Sequence, residues 1–136
     1  MESVGGPAGT GPTGTGGSAV AFGHISCTAG PAPVCTVDAA NSSNITSATG
    51  IADATDKGLI CITTSVTVKN QQALFEIALS ATNADLANGN TVTHLGGVQA
   101  QTAEANCPAG TTGWVRTYGP DGHRTSDARN VWVSYN

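Results

Sequence analysis

Trp114-Val115-Arg116-Thr117-Tyr118 and Val131-Trp132-Val133-Ser134-Tyr135 are the two runs whose reading decides the fold. Successive side chains of a strand point to opposite faces. Trp114, Arg116 and Tyr118 then share one face with Val115 and Thr117 on the other, while Val131, Val133 and Tyr135 alternate against Trp132 and Ser134. The two runs are expected to form a closing hairpin. Gly119-Pro120-Asp121-Gly122 supplies turn chemistry, with Pro fixing φ and Gly accepting positive φ. The connection continues to about Ala128, so it reads as a long exposed loop.

Upstream, short apolar runs alternate with turn residues. Strands are expected at 18–26, 34–37, 44–48 and 58–64, the last running on toward Val68, with the polar stretch 50–57 as a loop. The run 74–79 has two readings: Phe75, Ile77 and Leu79 alternate as in a strand, whereas Leu74, Ile77, Ala78 and Ala81 fit helical spacing. The β-branched and aromatic surroundings favour the strand. Asn88-Gly89-Asn90 turns the chain before a strand at 91–95, and Gly96-Gly97 interrupts before another at 98–102. Such punctuation points to an all-β chain, an antiparallel β-sandwich of about seven or eight short strands.

Length bounds the architecture at one core, since 136 residues make a single domain of ordinary size plus short extensions. Only 5 residues are Lys or Arg against 9 Asp or Glu, for a net charge of −4. No basic stripe is available to neutralise phosphates, which argues against nucleic-acid partners and against anionic membranes. No apolar run reaches bilayer length, and the residues after Met1 are polar and glycine-rich rather than a charged start followed by a hydrophobic stretch. Neither membrane insertion nor an export signal is therefore expected in the sequence, leaving removal of such a segment or release by another route, such as lysis.

The four cysteines, Cys27, Cys35, Cys61 and Cys107, are an even set in a small, weakly charged chain, and disulfides are the leading reading. Four cysteines allow three pairings, and spacing does not choose among them. Cys27 with Cys35 is favoured because Gly30, Pro31 and Pro33 let the intervening segment fold back, which leaves Cys61 with Cys107. Zinc is disfavoured, because there is neither a C-x-x-C pair nor a His pair at ligand spacing.

Residues 1–17 form a separate Gly/Pro/Thr-rich stub ahead of the disulfide-braced domain at 18–136. Gly6 and Gly9 share one three-residue phase, and Gly11, Gly14 and Gly17 another. A triple helix needs glycine at every third place, because only glycine fits the shared axis, so the phase break also admits a plain extended linker. As polyproline II, the dozen residues after Gly5 would reach about 37 Å.

Ala21-Phe22-Gly23-His24, Asn44-Ile45-Thr46-Ser47, Gly58-Leu59-Ile60-Cys61-Ile62, Cys107-Pro108-Ala109-Gly110 and Val131-Trp132-Val133 carry a resemblance across most of 20–136. Together they resemble a C-terminal β module of actinobacterial secreted proteins. That module often follows collagen-like Gly-X-Y repeats and has relatives among phage tail-fibre and collagen-like virion proteins. The resemblance implies a display role, supports the pairing of Cys61 with Cys107, and brings no catalytic residues. Leu59-Ile60 stand where the group has an aromatic before the cysteine, and the Cys27 to Cys35 insertion lies outside its pattern.

Catalysis has a scattered set of candidates: His24, His94, His123, Asp121, Asp127, Glu76, Glu104 and several serines, none within a nucleophile-elbow pattern. His24 reads as a packed or edge residue of a strand, His94 as near a turn, and His123 as a solvated loop residue. Asp53, Asp56, Asp121 and Asp127 lack the dense spacing of a calcium loop. No catalytic, metal or cofactor site is expected.

Binding is the better class. Trp114, Arg116, Tyr118, His123 and Arg124 are the candidate ligand residues: an exposed ring stacking on a sugar face, with Arg and His as donors. The competing reading places Trp132 and one ring of the 114–118 strand in the core. Asn41-Ser42-Ser43 and Asn44-Ile45-Thr46 match glycosylation sequons and are read as chance in a bacterial or viral setting.

A purely structural class completes the set, since a surface of uncharged Thr, Ala and Asn needs little desolvation at a contact. The combined expectation is a non-enzymatic extracellular domain at a virion or bacterial cell surface. It would act in adhesion or assembly as a homotrimeric stalk tip, with a surface glycan or a virion or cell-surface protein as partner. The alternatives are a monomeric carbohydrate-binding module and, less favoured, a hydrolase with a non-local active site.

Overall fold

Strand alternation and two disulfides organise this chain into two facing sheets. The structure is a computed structural model, described over residues 19–28, 33–51, 58–76, 93–118 and 130–136. Its strands are β1 (Ala21–Cys27), β2 (Cys35–Val37), β3 (Ile45–Gly50), β4 (Leu59–Thr64), β5 (Gln71–Glu76), β6 (Thr93–Val98), β7 (Gly113–Tyr118) and β8 (Asn130–Tyr135), with one 3₁₀ turn at Ala39–Asn41. They form two four-stranded sheets in the orders β2-β1-β8-β5 and β3-β4-β7-β6. Every pairing is antiparallel, so the expected β-sandwich is the observed fold.

The space between the sheets is filled by the inward rows. From the first sheet come Ala21, Ile25, Val131, Val133 and Tyr135, and from the second Ile60, Ile62, Val98 and Val115. Fully burying an aliphatic side chain of this kind contributes about 1.5–3 kcal/mol. One polar bridge crosses this core. The Tyr135 hydroxyl donates to Gln71 Oε1 at 2.6 Å, and Gln71 Nε2 donates to the Trp114 carbonyl at 2.9 Å. The bridge fits only because glycine stands beneath it. A Cβ on Gly113 would meet Gln71 Oε1 and sit 2.5 Å from the Tyr135 hydroxyl, and one on Gly96 would lie 2.7 Å from the Trp114 carbonyl.

Both disulfides form, joining Cys27 to Cys35 and Cys61 to Cys107. The first ties β1 to the edge strand β2 at a directly paired position. The second fastens the β6–β7 connection to β4.

Several local expectations are corrected. The closing hairpin does not exist: β7 lies between β4 and β6, whereas β8 lies between β1 and β5 in the opposite sheet. Alternation suits either sheet equally, and eleven intervening residues are ample to change sheets. Gly96-Gly97 does not break a strand but lies inside β6, with His94 in the same strand rather than near a turn. The strand expected at 98–102 is a turn, in which the Gln101 and Thr102 N–H groups both donate to the Val98 carbonyl. Asn44, with φ of 59°, precedes β3 rather than starting it, and that strand continues to Gly50. β4 stops at Thr64, and β5 begins at Gln71, three residues before the expected start. The stub at 1–17, the loop at 52–57, the segment 77–92 and the connection at 119–129 lie outside the described residues.

Candidate functional site

The two sheets differ in what covers their outer faces. On the second sheet the outward side chains of Leu59, Cys61 and Trp114 form a small core of their own, with Ile51 and Cys107 packed against it. The roof is the β6–β7 connection, pinned by the Cys61–Cys107 bond. The Trp114 indole N–H donates to the Thr102 carbonyl at 2.7 Å, and Arg116 Nη2 lies 2.7 Å from Glu104 Oε2. Gln99 braces this connection by donating to the Glu104 carbonyl and accepting from its N–H. Roofing explains why β4 is buried on both faces from Leu59 to Ile62 and reads as a continuous apolar run.

Among the described residues no such roof lies over the first sheet. His24, Trp132 and Leu74 are directly paired across β1, β8 and β5, making one outward row. Trp132 is 39 % exposed and Leu74 is 68 % exposed, although both occupy strands whose alternate side chains are buried or half-buried. The His24 ring stacks on Trp132 with centroids 4.4 Å apart. Flanking the row, Gln72 pairs with Ser134 and Ser134 with Phe22.

Asp38 ends the row at the edge, its Oδ2 3.7 Å from His24 Nδ1. The Asn41 side chain, donating at 2.7 Å, does most to hold the Asp38 carboxyl below its ordinary range. Desolvation opposes this, while the Ala40 N–H and the nearby imidazole assist. An imidazole backed by a carboxylate on one side and an indole on the other is held in place, and the exposed indole gives an apolar plane against which a flat partner can lie.

Of the ligand residues expected from sequence, Trp114 and Arg116 are not at the surface. Trp114 is 7 % exposed and Arg116 4 % exposed, both beneath the roof. Arg116 also approaches the Trp114 ring, at 5.9 Å from its centroid. The structure places the backbone of Tyr118 at the end of β7, whereas His123 and Arg124 lie outside the described residues. The competing core reading holds for its ring of the 114–118 strand, which is Trp114, and fails for Trp132, which is exposed. Alternation fixes which residues share a face and leaves open which face is covered. His24, Trp132 and Leu74 were legible only as alternating strand residues, because their meeting depends on strand order.

Among the other chemical candidates, Glu104 serves the ion pair with Arg116, and Glu76 and His94 lie in β5 and β6. Asp53, Asp56, Asp121 and Asp127 fall outside the described residues. Among the described residues no group of three or more His, Cys, Asp and Glu is placed to hold a metal ion. Likewise, no helix among them is long and apolar enough to cross a membrane. Both sequon amides are engaged: Asn41 donates to Asp38 Oδ2 and Asn44 to the Val20 carbonyl. Comparison of the chain with protein-family models, with curated proteins and with solved structures gives no match.

Proposed function

We propose that this chain is a non-enzymatic extracellular structural domain, displayed at a virion or bacterial cell surface, that acts in adhesion or assembly as the tip of a trimeric stalk. One observation carries the reading. Among the described residues, the exposed large hydrophobics Val20, Val34, Leu74 and Trp132 all belong to the first sheet or adjoin its strands, while Leu59, Cys61 and Trp114 of the second sheet lie under a cross-linked roof. An apolar face left open on one side only is what a contact surface requires. Two disulfides suit an oxidising setting, and the Gly/Pro/Thr-rich stub suits a stalk.

A second reading follows from the stacked His24–Trp132 pair, since an exposed indole also suits the apolar face of a pyranose. The carbohydrate-binding alternative therefore moves from the Trp114 strand to the first sheet. Light scattering of the full chain, with and without pyranosides, separates the two. A stable trimer indifferent to sugar supports the stalk tip, and a sugar-binding monomer overturns it.

A further inference from the structure

We infer that the open face of the first sheet, centred on Trp132 and flanked by Leu74 and Val34, is covered by a second copy of this chain, and that this contact forms only because the stub holds the copies together. The inference rests on the stalk-tip reading and adds the surface, the occupant and the energetic reason for the stub.

Area supplies the first argument. Four strands about 4.8 Å apart, three to seven residues long at about 3.3 Å per residue, give this face a footprint of at most roughly 400 Å². A stable interface takes roughly 800 Å² from each partner. The face alone is therefore too small to hold two free copies together at low concentration. It is large enough once the copies are tethered, because linkage replaces a bimolecular encounter with a local concentration on the order of millimolar.

The place where the tether enters supplies the second argument. Residues 1–17 end one residue before Ser18, and the chain then passes through Ala19 and Val20 directly into β1, a central strand of the open sheet. Val20 is itself exposed, and its N–H donates to the Tyr135 carbonyl, which fastens the tether's end against β8. Copies joined through their stubs are thus joined beside the face on which Trp132 and Leu74 are exposed, not beside the roofed one.

Charge supplies the third argument. The row from His24 through Trp132 to Leu74 carries no permanent charge; Asp38 sits at its edge, and Glu76, two residues after Leu74 in β5, is the charged position that register puts on the same face. A central aromatic with few charges to desolvate is the composition of an interface core.

Native mass spectrometry across a concentration series tests the inference on the full chain, the chain beginning at Ser18, and full-chain Trp132→Glu and Leu74→Glu. Expected are a trimer for the full chain, a monomer at micromolar concentration for the chain from Ser18, and at least about tenfold weaker assembly for both variants. Near-UV circular dichroism from the roofed Trp114 reports that each variant is folded. Should Trp132→Glu fail to fold, Leu74→Glu decides the result, because that side chain is mostly in solvent. Folded variants that assemble like the parent chain would overturn the inference while leaving the stalk-tip reading intact. A full chain that stays monomeric at every concentration would overturn both, and Trp132 emission that responds to N-acetylglucosamine or methyl galactoside would then identify the face as a sugar site.

Discussion

His24 lies against Trp132 with ring centroids 4.4 Å apart and 30° between their planes, in directly paired positions of β1 and β8. The exposed indole is therefore backed on one side by an imidazole that Asp38 flanks in turn. Such backing limits the freedom of the indole before any partner arrives, which reduces the entropy lost on contact.

The two tryptophans should respond differently to truncation. Trp114→Ala is expected to cost about 3–5 kcal/mol, as large core deletions do. Trp132→Ala is expected to cost less, about 1–2 kcal/mol, because 39 % of its surface is already in water. Urea denaturation of the two variants checks the contrast.

Removing the roof's fastening should be costly. The Cys61–Cys107 bond spans 46 residues, and the chain-entropy treatment assigns about 4 kcal/mol to closing a loop of that size. Cys61→Ala with Cys107→Ala is expected to lose an amount of that order and to expose Trp114 to acrylamide. Glu104→Ala is expected to cost about 3 kcal/mol by leaving the Arg116 guanidinium buried without this carboxylate.

Alkaline stability depends on Tyr135. Burial pushes its phenol well above the ordinary tyrosine range, so the folded state disfavours the phenolate that the unfolded chain forms near pH 10. The sign is that stability is complete below pH 10 and falls as pH rises toward the folded value, by up to about 1.4 kcal/mol per pH unit. Tyr135→Phe should flatten that fall while losing about 1 kcal/mol at neutral pH from the missing bond to Gln71. Denaturant midpoints measured from pH 8 to 11 check both effects.

Acid acts in the opposite direction through Asp38. Its carboxyl is held below the ordinary aspartate value of about 3.9, first by Asn41. Its contribution is therefore present above that pH and lost as pH falls through the lower folded value. Asp38→Asn should remove this dependence. The carboxyl resonance, followed by NMR from pH 5 to 2, is expected to titrate at lower pH in the parent chain than in Asn41→Ala.

Much of the fold was legible in the alternation of single strands. Val131, Val133 and Tyr135 point inward as their spacing implies, and both disulfides join the favoured partners. The assignment of strands to sheets was not legible, because β7 and β8 carry similar patterns yet lie in opposite sheets. Gly96-Gly97 misled for a different reason. There Gly96 answers crowding by Trp114 and Gln71, and Gly97 crowding by Thr102, inside a strand, which resembles a turn signal in one dimension. The candidate face escaped detection because an outward tryptophan looks the same in sequence whether a distant loop roofs it, as with Trp114, or leaves it open, as with Trp132.

Oxidative footprinting of the two indoles in the full chain, across concentrations spanning monomer to assembly, tests most directly whether the open face is the contact. Trp114 should stay protected throughout, and Trp132 should be oxidised in the monomer and protected in step with trimer formation. Equal oxidation of Trp132 in monomer and trimer would contradict the assignment of that face.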